Sequence, residues 1–228
     1  MDGRAPITSI IMVLAGFVAG PGANVDQETC SKETGDVAVA ACTRLIASGK
    51  FQGDSLAAVY YNRGITWYDK GEYDRAIEDY GRAMQLNPHF AQAVFNRGNA
   101  YDAKGEYDHA IDDYDRAIRL NPSYAKAFNN RGYVWDEKRD YDRAIQDYDR
   151  AIDLDPRYAR AFNNRGVAYW NKGEYERAVQ DYDRAIKLEP SYAEALYNRG
   201  IAKLKLGAMH DGNADVAAAK AINPNVAR

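Results

Sequence analysis

A repeat of 34 residues constrains this chain more than any other feature. Glycine recurs at that interval at Gly64, Gly98, Gly132, Gly166 and Gly200. Proline recurs at the same interval from Pro88 to Pro224, and alanine and tyrosine hold the same register between them, as at Ala76 and Tyr80. A period of this length predicts an array in which each unit packs on its neighbours, rather than one closed core.

Each unit is predicted to be a pair of helices. Apolar residues are three or four apart on both sides of a short turn, such as Lys70 to Glu72, and a proline follows the second segment. Tyr60, Gly64 and Trp67 share one face of the first helix. Glycine on such a face allows two helix backbones to approach closely, so we expect all-α antiparallel hairpins.

These positions resemble the tetratricopeptide repeat, whose pattern combines aromatic, glycine, alanine, tyrosine and proline positions. The first complete copy supplies Tyr60, Gly64, Trp67, Ala76, Tyr80 and Pro88. The resemblance implies a right-handed superhelical solenoid that binds proteins. Four strong repeats are predicted over 57–90, 91–124, 125–158 and 159–192. A degenerate fifth repeat with a C-terminal cap follows over 193–228, where the last helix is expected over Asn213–Ile222.

The N-terminal region is different in character. Arg4 precedes an apolar run from Ile7 to Ala19, and small residues follow, which predicts a signal peptide over 1–23 and export to the bacterial periplasm or beyond. The run is shorter than the roughly 20 residues of a membrane span. The alternative is an uncleaved anchor, and membrane attachment is expected only in that case.

Residues 24–56 are predicted to form a half-repeat cap, with a second helix over Asp36–Ser48 but no first helix. The two cysteines, Cys30 and Cys42, both lie here. In an oxidising compartment we expect them to form a disulfide; the alternative is two unrelated small apolar residues. A metal site is not expected, because the three histidines are distant in sequence and two thiolates rarely suffice.

One position departs from the family pattern in every copy: arginine stands where the family has leucine. An arginine between packed helices needs a carboxylate, and one aspartate series accompanies all five arginines. We therefore predict structural ion pairs within the hairpins; the alternative is an arginine ladder for anionic ligands. The predicted pairs are Arg63 with Asp79, Arg97 with Asp113, Arg131 with Asp147, Arg165 with Asp181, and Arg199 with Asp215.

By the resemblance, the first helices line a concave groove that holds a partner. Its predicted residues are Tyr61, Tyr68, Phe95, Asn96, Asn99, Lys126, Asn130, Tyr133, Arg160, Asn164, Trp170 and Tyr197. Amides both donate and accept hydrogen bonds, so the asparagines could bind a partner's backbone. Alternatively, they bridge adjacent helices.

Charge and motifs exclude several functions. The net charge of −3 and pI near 5.7 disfavour nucleic acid as a partner. There is no phosphate-binding loop and no singled-out catalytic carboxylate pair, so no enzymatic activity and no cofactor or metal are expected. We predict an interaction scaffold for a protein or peptide. The alternative is a structural element that self-assembles end to end into a homo-oligomer through its weakly capped C-terminal end.

Overall fold

The computed structural model describes residues 21–226 of the chain. The predicted signal peptide, with its apolar run, lies outside the described residues apart from its last few positions. The described part contains twelve α-helices and no strand, and it divides into two compact units, 21–122 and 123–226. Within this part, no helix combines the length and the apolar character needed to cross a membrane.

The first unit contains six helices. They are α1 (Pro21–Lys32), α2 (Gly35–Ala47), α3 (Gly53–Asp69), α4 (Tyr73–Leu86), α5 (Ala91–Ala103) and α6 (Tyr107–Leu120). Each helix packs on the next, so that α3 with α4 and α5 with α6 form the hairpins of the first two repeats.

The second unit has the same plan over the remaining repeats. Its helices are α7 (Ala125–Glu137), α8 (Tyr141–Leu154), α9 (Ala159–Asn171), α10 (Tyr175–Leu188), α11 (Ala193–Lys205) and α12 (Met209–Ile222). The hairpins are α7 with α8, α9 with α10, and α11 with α12, and α9 and α11 also pack on the second helix of the preceding hairpin.

Small residues hold the two helices of a hairpin together. In the second helix α8, Ala144, Tyr148 and Ala151 are at most 1% exposed. The tyrosine ring fills the space beside Gly132 of the first helix, where an added Cβ would lie 2.9 Å from the ring. The recurring glycine is therefore a requirement of packing between helices.

The turn between two helices of a hairpin uses a left-handed residue. Gly71, Gly105 and Gly173 have φ between 75° and 80°, and Arg139 takes the same place in the third repeat with φ 62°. A left-handed conformation is costly for a residue with a side chain. The third repeat therefore carries backbone strain that its neighbours avoid.

The N-terminal cap is a helical hairpin, whereas the sequence predicted a second helix alone. Helix α1 packs on α2, and the sulfurs of Cys30 and Cys42 lie 2.12 Å apart. Cys30 is the only buried side chain of α1 between Val25 and Lys32, and it joins a core cluster with Leu45. Because α1 has almost no apolar face, its sequence carries no helical periodicity.

At the C-terminal end, α12 begins at Met209, four residues before the predicted start at Asn213. Gly212 explains the difference: an added Cβ there would lie 2.8 Å from the carbonyl oxygen of Gly200 and 2.7 Å from Leu204. At this helix crossing Gly212 takes the place of the alanine of the other repeats, and Val216 takes the place of the tyrosine beside the recurring glycine, Gly200. Helices α11 and α12 thus form a complete hairpin.

Candidate partner-binding surface

The predicted arginine and aspartate side chains meet inside each hairpin. In all five cases Nε and Nη2 of the arginine donate to the two carboxylate oxygens, over 2.5 to 2.8 Å. The pairs are Arg63–Asp79, Arg97–Asp113, Arg131–Asp147, Arg165–Asp181 and Arg199–Asp215. The aspartate side chains are only 4 to 11% exposed. This bidentate geometry neutralises a charge between packed helices.

The pKa of the hairpin aspartate shifts in opposite directions in the first and the last of these pairs. Burial raises the pKa of Asp79, although hydrogen bonds from Arg63 oppose that rise. Burial also acts on Asp215, but hydrogen bonds from Arg199 and Lys203 outweigh it and lower the pKa below the ordinary value. The additional cation, with Nζ of Lys203 2.8 Å from the carboxylate of Asp215, compensates for the more open end of the array.

In Arg63, Arg165 and Arg199, the remaining guanidinium nitrogen reaches the preceding hairpin. Nη1 of Arg165 donates to Asp149 over 2.5 Å, and Nη1 of Arg199 donates to Asp183 over 2.6 Å. In the first unit, Nη1 of Arg63 donates to the hydroxyl of Thr43 on α2. These contacts use the donors that an anionic ligand would need, so they favour a structural role over an arginine ladder for anions.

A ladder of side-chain amides joins the first helices of the second unit. Nδ2 of Asn164 on α9 donates to Oδ1 of Asn129 on α7 over 3.1 Å, and Nδ2 of Asn198 on α11 donates to Oδ1 of Asn163 on α9 over 3.2 Å. Asn129 in turn donates to Asn130 over 3.0 Å. In the first unit, a comparable bond runs from Asn96 to the tyrosine hydroxyl of residue 61.

Burial separates the predicted groove residues into two sets. The first set has at most 5% exposure and contains Tyr61, Phe95, Asn96, Asn99, Asn130 and Asn164. Burial raises the pKa of Tyr61 to about 12, although its hydrogen bond with Asn96 opposes that rise. This corrects the sequence assignment of these six side chains: they lie within the packing and not on an open surface. The amides of Asn96, Asn99 and Asn164 bridge helices, as in the alternative considered for the asparagines.

The second set is half-buried and reaches the surface. It contains Tyr68 in the first unit and Lys126, Tyr133, Arg160, Trp170 and Tyr197 in the second. Trp170 also contacts Tyr175, with ring centroids 4.8 Å apart, and both Trp170 and Tyr197 pack against buried clusters. The accessible part of the predicted surface is therefore concentrated on α7, α9 and α11.

These three helices present a polarised face. Residues 34 apart occupy equivalent places, so Lys126, Arg160 and Glu194 lie near the helix starts, and Asp136 and Trp170 lie near the helix ends. Half-buried apolar residues fill the middle, including Val167 and Ile201, which the sequence assignment did not include. We call the half-buried side chains at these places on the three helices the inner face. It includes Lys126, Tyr133, Asp136, Arg160, Val167, Trp170, Glu194, Tyr197 and Ile201.

Asp136 is the carboxylate at the acidic end of the inner face. Burial raises its pKa to about 6, with Glu137 contributing in the same direction and a hydrogen bond from Asn171 opposing the rise. That bond is long, since Nδ2 of Asn171 lies 3.3 and 3.5 Å from the two carboxylate oxygens. This half-buried carboxylate thus differs from the hairpin aspartates, each of which has an arginine.

Another series of ion pairs follows the hairpin turns and was missed from sequence. Lys104 pairs with Asp74 of the preceding repeat over 2.7 Å, and Lys172 pairs with Asp142 over 2.6 Å. The spacing of 30 residues was visible, but the pairing depends on how one hairpin is placed against the next.

The part of the chain described here has no group of three His, Cys, Asp or Glu side chains arranged to hold a metal ion.

Comparison with known families decides the classification. The model described as "Tetratricopeptide repeat" matches residues 61–125, 95–159 and 131–187, and the model described as "TPR repeat" matches residues 171–207. Together these matches span more than half of the chain. The chain belongs to the tetratricopeptide-repeat family. The family fold is typically a protein-interaction scaffold.

Solved structures of other tetratricopeptide-repeat proteins are similar. A crystal structure of MamA is 24% identical, with a TM-score of 0.64, over 72% of this chain and 96% of that one. YrrB, described as a TPR protein with an unusual peptide-binding site, is 24% identical, with a TM-score of 0.62, over 82% and 94%. PilF of Pseudomonas aeruginosa is 18% identical, with a TM-score of 0.69, over 73% and 76%. At these identities the likeness establishes the shared fold. No curated protein sequence gives a significant match.

Proposed function

We propose that this protein is a non-catalytic scaffold that binds a peptide or an extended segment of another protein on its inner face. The observation that carries the proposal is the combination of aromatic and charged side chains, half-buried on one side of α7, α9 and α11, above a buried ladder of amides. The description of YrrB as having a peptide-binding site supports the class of partner.

The chemistry of the inner face suits a peptide. Tyr133, Trp170 and Tyr197 offer aromatic area of the kind that dominates interface energies. Lys126 and Arg160 add charge near the starts of α7 and α9, where a partner carboxylate can also meet the positive end of the helix dipoles. Because the buried amides bond α7 to α9 and α9 to α11, this surface is organised before a partner arrives, which reduces the entropy lost on binding.

The test is capture of the partner from an exported protein fraction, with identification of what is retained. Two paired variants are compared with the wild type: Tyr133→Ala with Trp170→Ala, and Lys126→Glu with Arg160→Glu. Both should remain helical while capture is lost. Since Trp170 packs on Tyr175, the aromatic pair should also lower the melting temperature somewhat, and the charge pair provides the cleaner measurement.

The matched control is Tyr148→Ala, which truncates a ring that is 1% exposed and should unfold the repeat through lost packing. If both paired variants are folded and still capture the same protein, the binding surface lies elsewhere. If they unfold like the control, these residues belong to the core.

End-to-end self-assembly is a second candidate, favoured by the exposed apolar residues of the last hairpin. Leu206, Met209 and Ile222 are 41%, 60% and 47% exposed. Light scattering over a range of concentrations measures the molar mass, which should fall on dilution if copies associate. Met209→Glu should then keep the protein monomeric at all concentrations. A monomer mass for the wild type throughout that range would exclude this function.

We also propose that the protein is exported, to the periplasm or outside a bacterial cell. The proposal is supported by Cys30 and Cys42, which are buried and at disulfide distance, since disulfides persist in oxidising compartments. Thiol quantification in the unreduced, denatured protein should find no reactive thiol, whereas two per chain would contradict it. N-terminal sequencing of the membrane and soluble fractions distinguishes cleavage from a retained anchor.

A further inference from the structure

We propose that Asp136 binds the ammonium or guanidinium group of a lysine or arginine side chain in the partner segment. This inference rests on the proposed function and specifies which partner chemistry the inner face recognises.

The first argument is the absence of an internal cation. In the described part of the chain, the contact made by the carboxylate of Asp136 is the long hydrogen bond from Asn171, and no lysine or arginine forms an ion pair with it. The hairpin aspartates, as at Asp147, each receive two charge-assisted bonds from arginine. A half-buried carboxylate without a cation is costly, and a partner's cation would relieve that cost.

The second argument is the position of Asp136 in the last turn of α7. The C-terminal end of a helix carries partial negative charge and favours basic residues, yet the last turn of α7 contains none. The groups that face Asp136 supply no positive charge either: Glu137 lies on the same helix, and Tyr148, Asn171 and Tyr182 lie on α8, α9 and α10. The local charge is therefore complementary to a cation.

The third argument is what surrounds this carboxylate along the inner face. The equivalent positions 34 and 68 residues later are Trp170 and Leu204, and Tyr133 lies one turn earlier on α7. Lysine and arginine carry a long apolar stem below the charged group, and aromatic rings attract both parts. Within the second unit Asp136 is the acidic member of an otherwise apolar row, which fits a basic side chain better than an apolar one.

Lys126, at the opposite end of the inner face, lies at a distance from Asp136 that a short extended peptide can match. Lys126 and Asp136 are ten residues apart on α7, which is about 15 Å along a helix. An extended peptide covers about 13 Å in four residues, and side chains four apart point to the same side. A segment lying along α7 would thus place a basic side chain at Asp136 and an acidic one, about four residues away, near Lys126.

The experiment is selection of binders from a displayed library of random nine-residue peptides against the full-length wild type. Selected peptides should be enriched in lysine or arginine. Selection against Asp136→Asn should lose that enrichment, and selection against Asp136→Lys should reverse it toward aspartate or glutamate. For a single selected peptide, Asp136→Asn should raise Kd about tenfold, and replacing the peptide's lysine by norleucine should have no further effect in that variant.

Two controls keep the result interpretable. Glu137→Gln removes the neighbouring charge on α7 and should change Kd less than threefold. Asp136→Asn keeps the size of the side chain, and its melting temperature should not fall. If peptides bind the wild type with no preference for basic residues, or bind Asp136→Asn equally well, this inference is overturned while the proposed function stands. If no peptide binds the wild type, both fail.

Discussion

Gly166 of α9 lies directly against the ring of Tyr182 on α10: a Cβ at residue 166 would be 2.6 Å from Cε1 of that ring. The ring is 1% exposed, so it is packed on all sides by the surrounding protein. Gly166→Ala should therefore lower the free energy of unfolding by about 2 to 3 kcal/mol through overpacking. Urea denaturation followed by circular dichroism measures this difference.

A second glycine, Gly81, provides both the control and a prediction of its own. It lies inside α4, and a Cβ there would approach nothing closer than Nη1 of Arg97, at 4.0 Å. Gly81→Ala should stabilise the protein by about 0.5 to 1 kcal/mol, because alanine favours a helix. The change in the free energy of unfolding should therefore have opposite signs in Gly166→Ala and Gly81→Ala. The same sign for both would contradict the packing role of Gly166.

Gly81 also occupies the place that carries Asp149 and Asp183 in later repeats, where each carboxylate accepts a bond from the next repeat's arginine. Gly81→Asp should supply the missing acceptor for Arg97 and raise the unfolding free energy by about 1 kcal/mol. Gly81→Asn is the uncharged control. If asparagine stabilises as much as aspartate at low salt, no ion pair between repeats has formed.

Asp147→Ala should destabilise by about 2 to 3 kcal/mol, because it removes both carboxylate oxygens from the guanidinium of Arg131 between two helices. Replacing both residues with leucine should cost less than the single change, since the guanidinium that Asp147 neutralises is then removed as well. Thermal melting of the two variants compares these costs. An unchanged melting temperature for Asp147→Ala would show that the pair contributes nothing.

Arg139→Gly should raise the midpoint of denaturant unfolding by the equivalent of about 0.5 to 1 kcal/mol. Arg139 has φ 62°, the conformation that glycine adopts in the sister turns at Gly71, Gly105 and Gly173. Gly173→Arg in the next repeat is the reciprocal variant and should lower the midpoint by a similar amount. A loss of stability in Arg139→Gly would mean that its side chain contributes more than the strain costs.

Stability should also depend on pH through Asp136. Its pKa of about 6 in the folded protein lies above the ordinary 3.8, so the folded state holds the proton more tightly. The stabilisation of the folded state that comes from this tighter proton binding is complete below about pH 4 and is lost as the pH rises through 6. Lowering the pH from 7 to 5 should raise the unfolding free energy of the wild type by up to about 1 kcal/mol relative to Asp136→Asn. Equal pH profiles for the two proteins would contradict the raised pKa.

Much of this fold was predictable because it repeats. One occurrence of glycine near tyrosine indicates little, but Gly64, Gly98, Gly132 and Gly166, each sixteen residues before a tyrosine, define a helix crossing. Helix α1 could not be found in that way, because Cys30, the one buried side chain between Val25 and Lys32, gives no periodicity.

The inner face was harder to predict than the fold. A position in the register fixes which side of a helix a residue occupies, but not how deeply the next helix covers it. Asn96 and Tyr197 were assigned to the same surface, yet Asn96 is 2% exposed and Tyr197 is half-buried. The difference arises from packing between successive first helices, which one sequence does not specify.

The ladders between repeats join residues that are close along the chain: Asn164 to Asn129, 35 residues apart, and Arg165 to Asp149, 16 apart. Contacts of such short range cost little chain entropy to form, so folding can begin at any hairpin and spread to its neighbours. Because each hairpin contacts only its neighbours, the hairpins can also unfold one after another from an end. In the second unit, α11 and α12 should exchange their amide hydrogens faster than α9 and α10, which have a hairpin on both sides. A partner bound across α7, α9 and α11 would therefore slow that exchange. Binding would then be detectable as slower amide hydrogen exchange in the last hairpin.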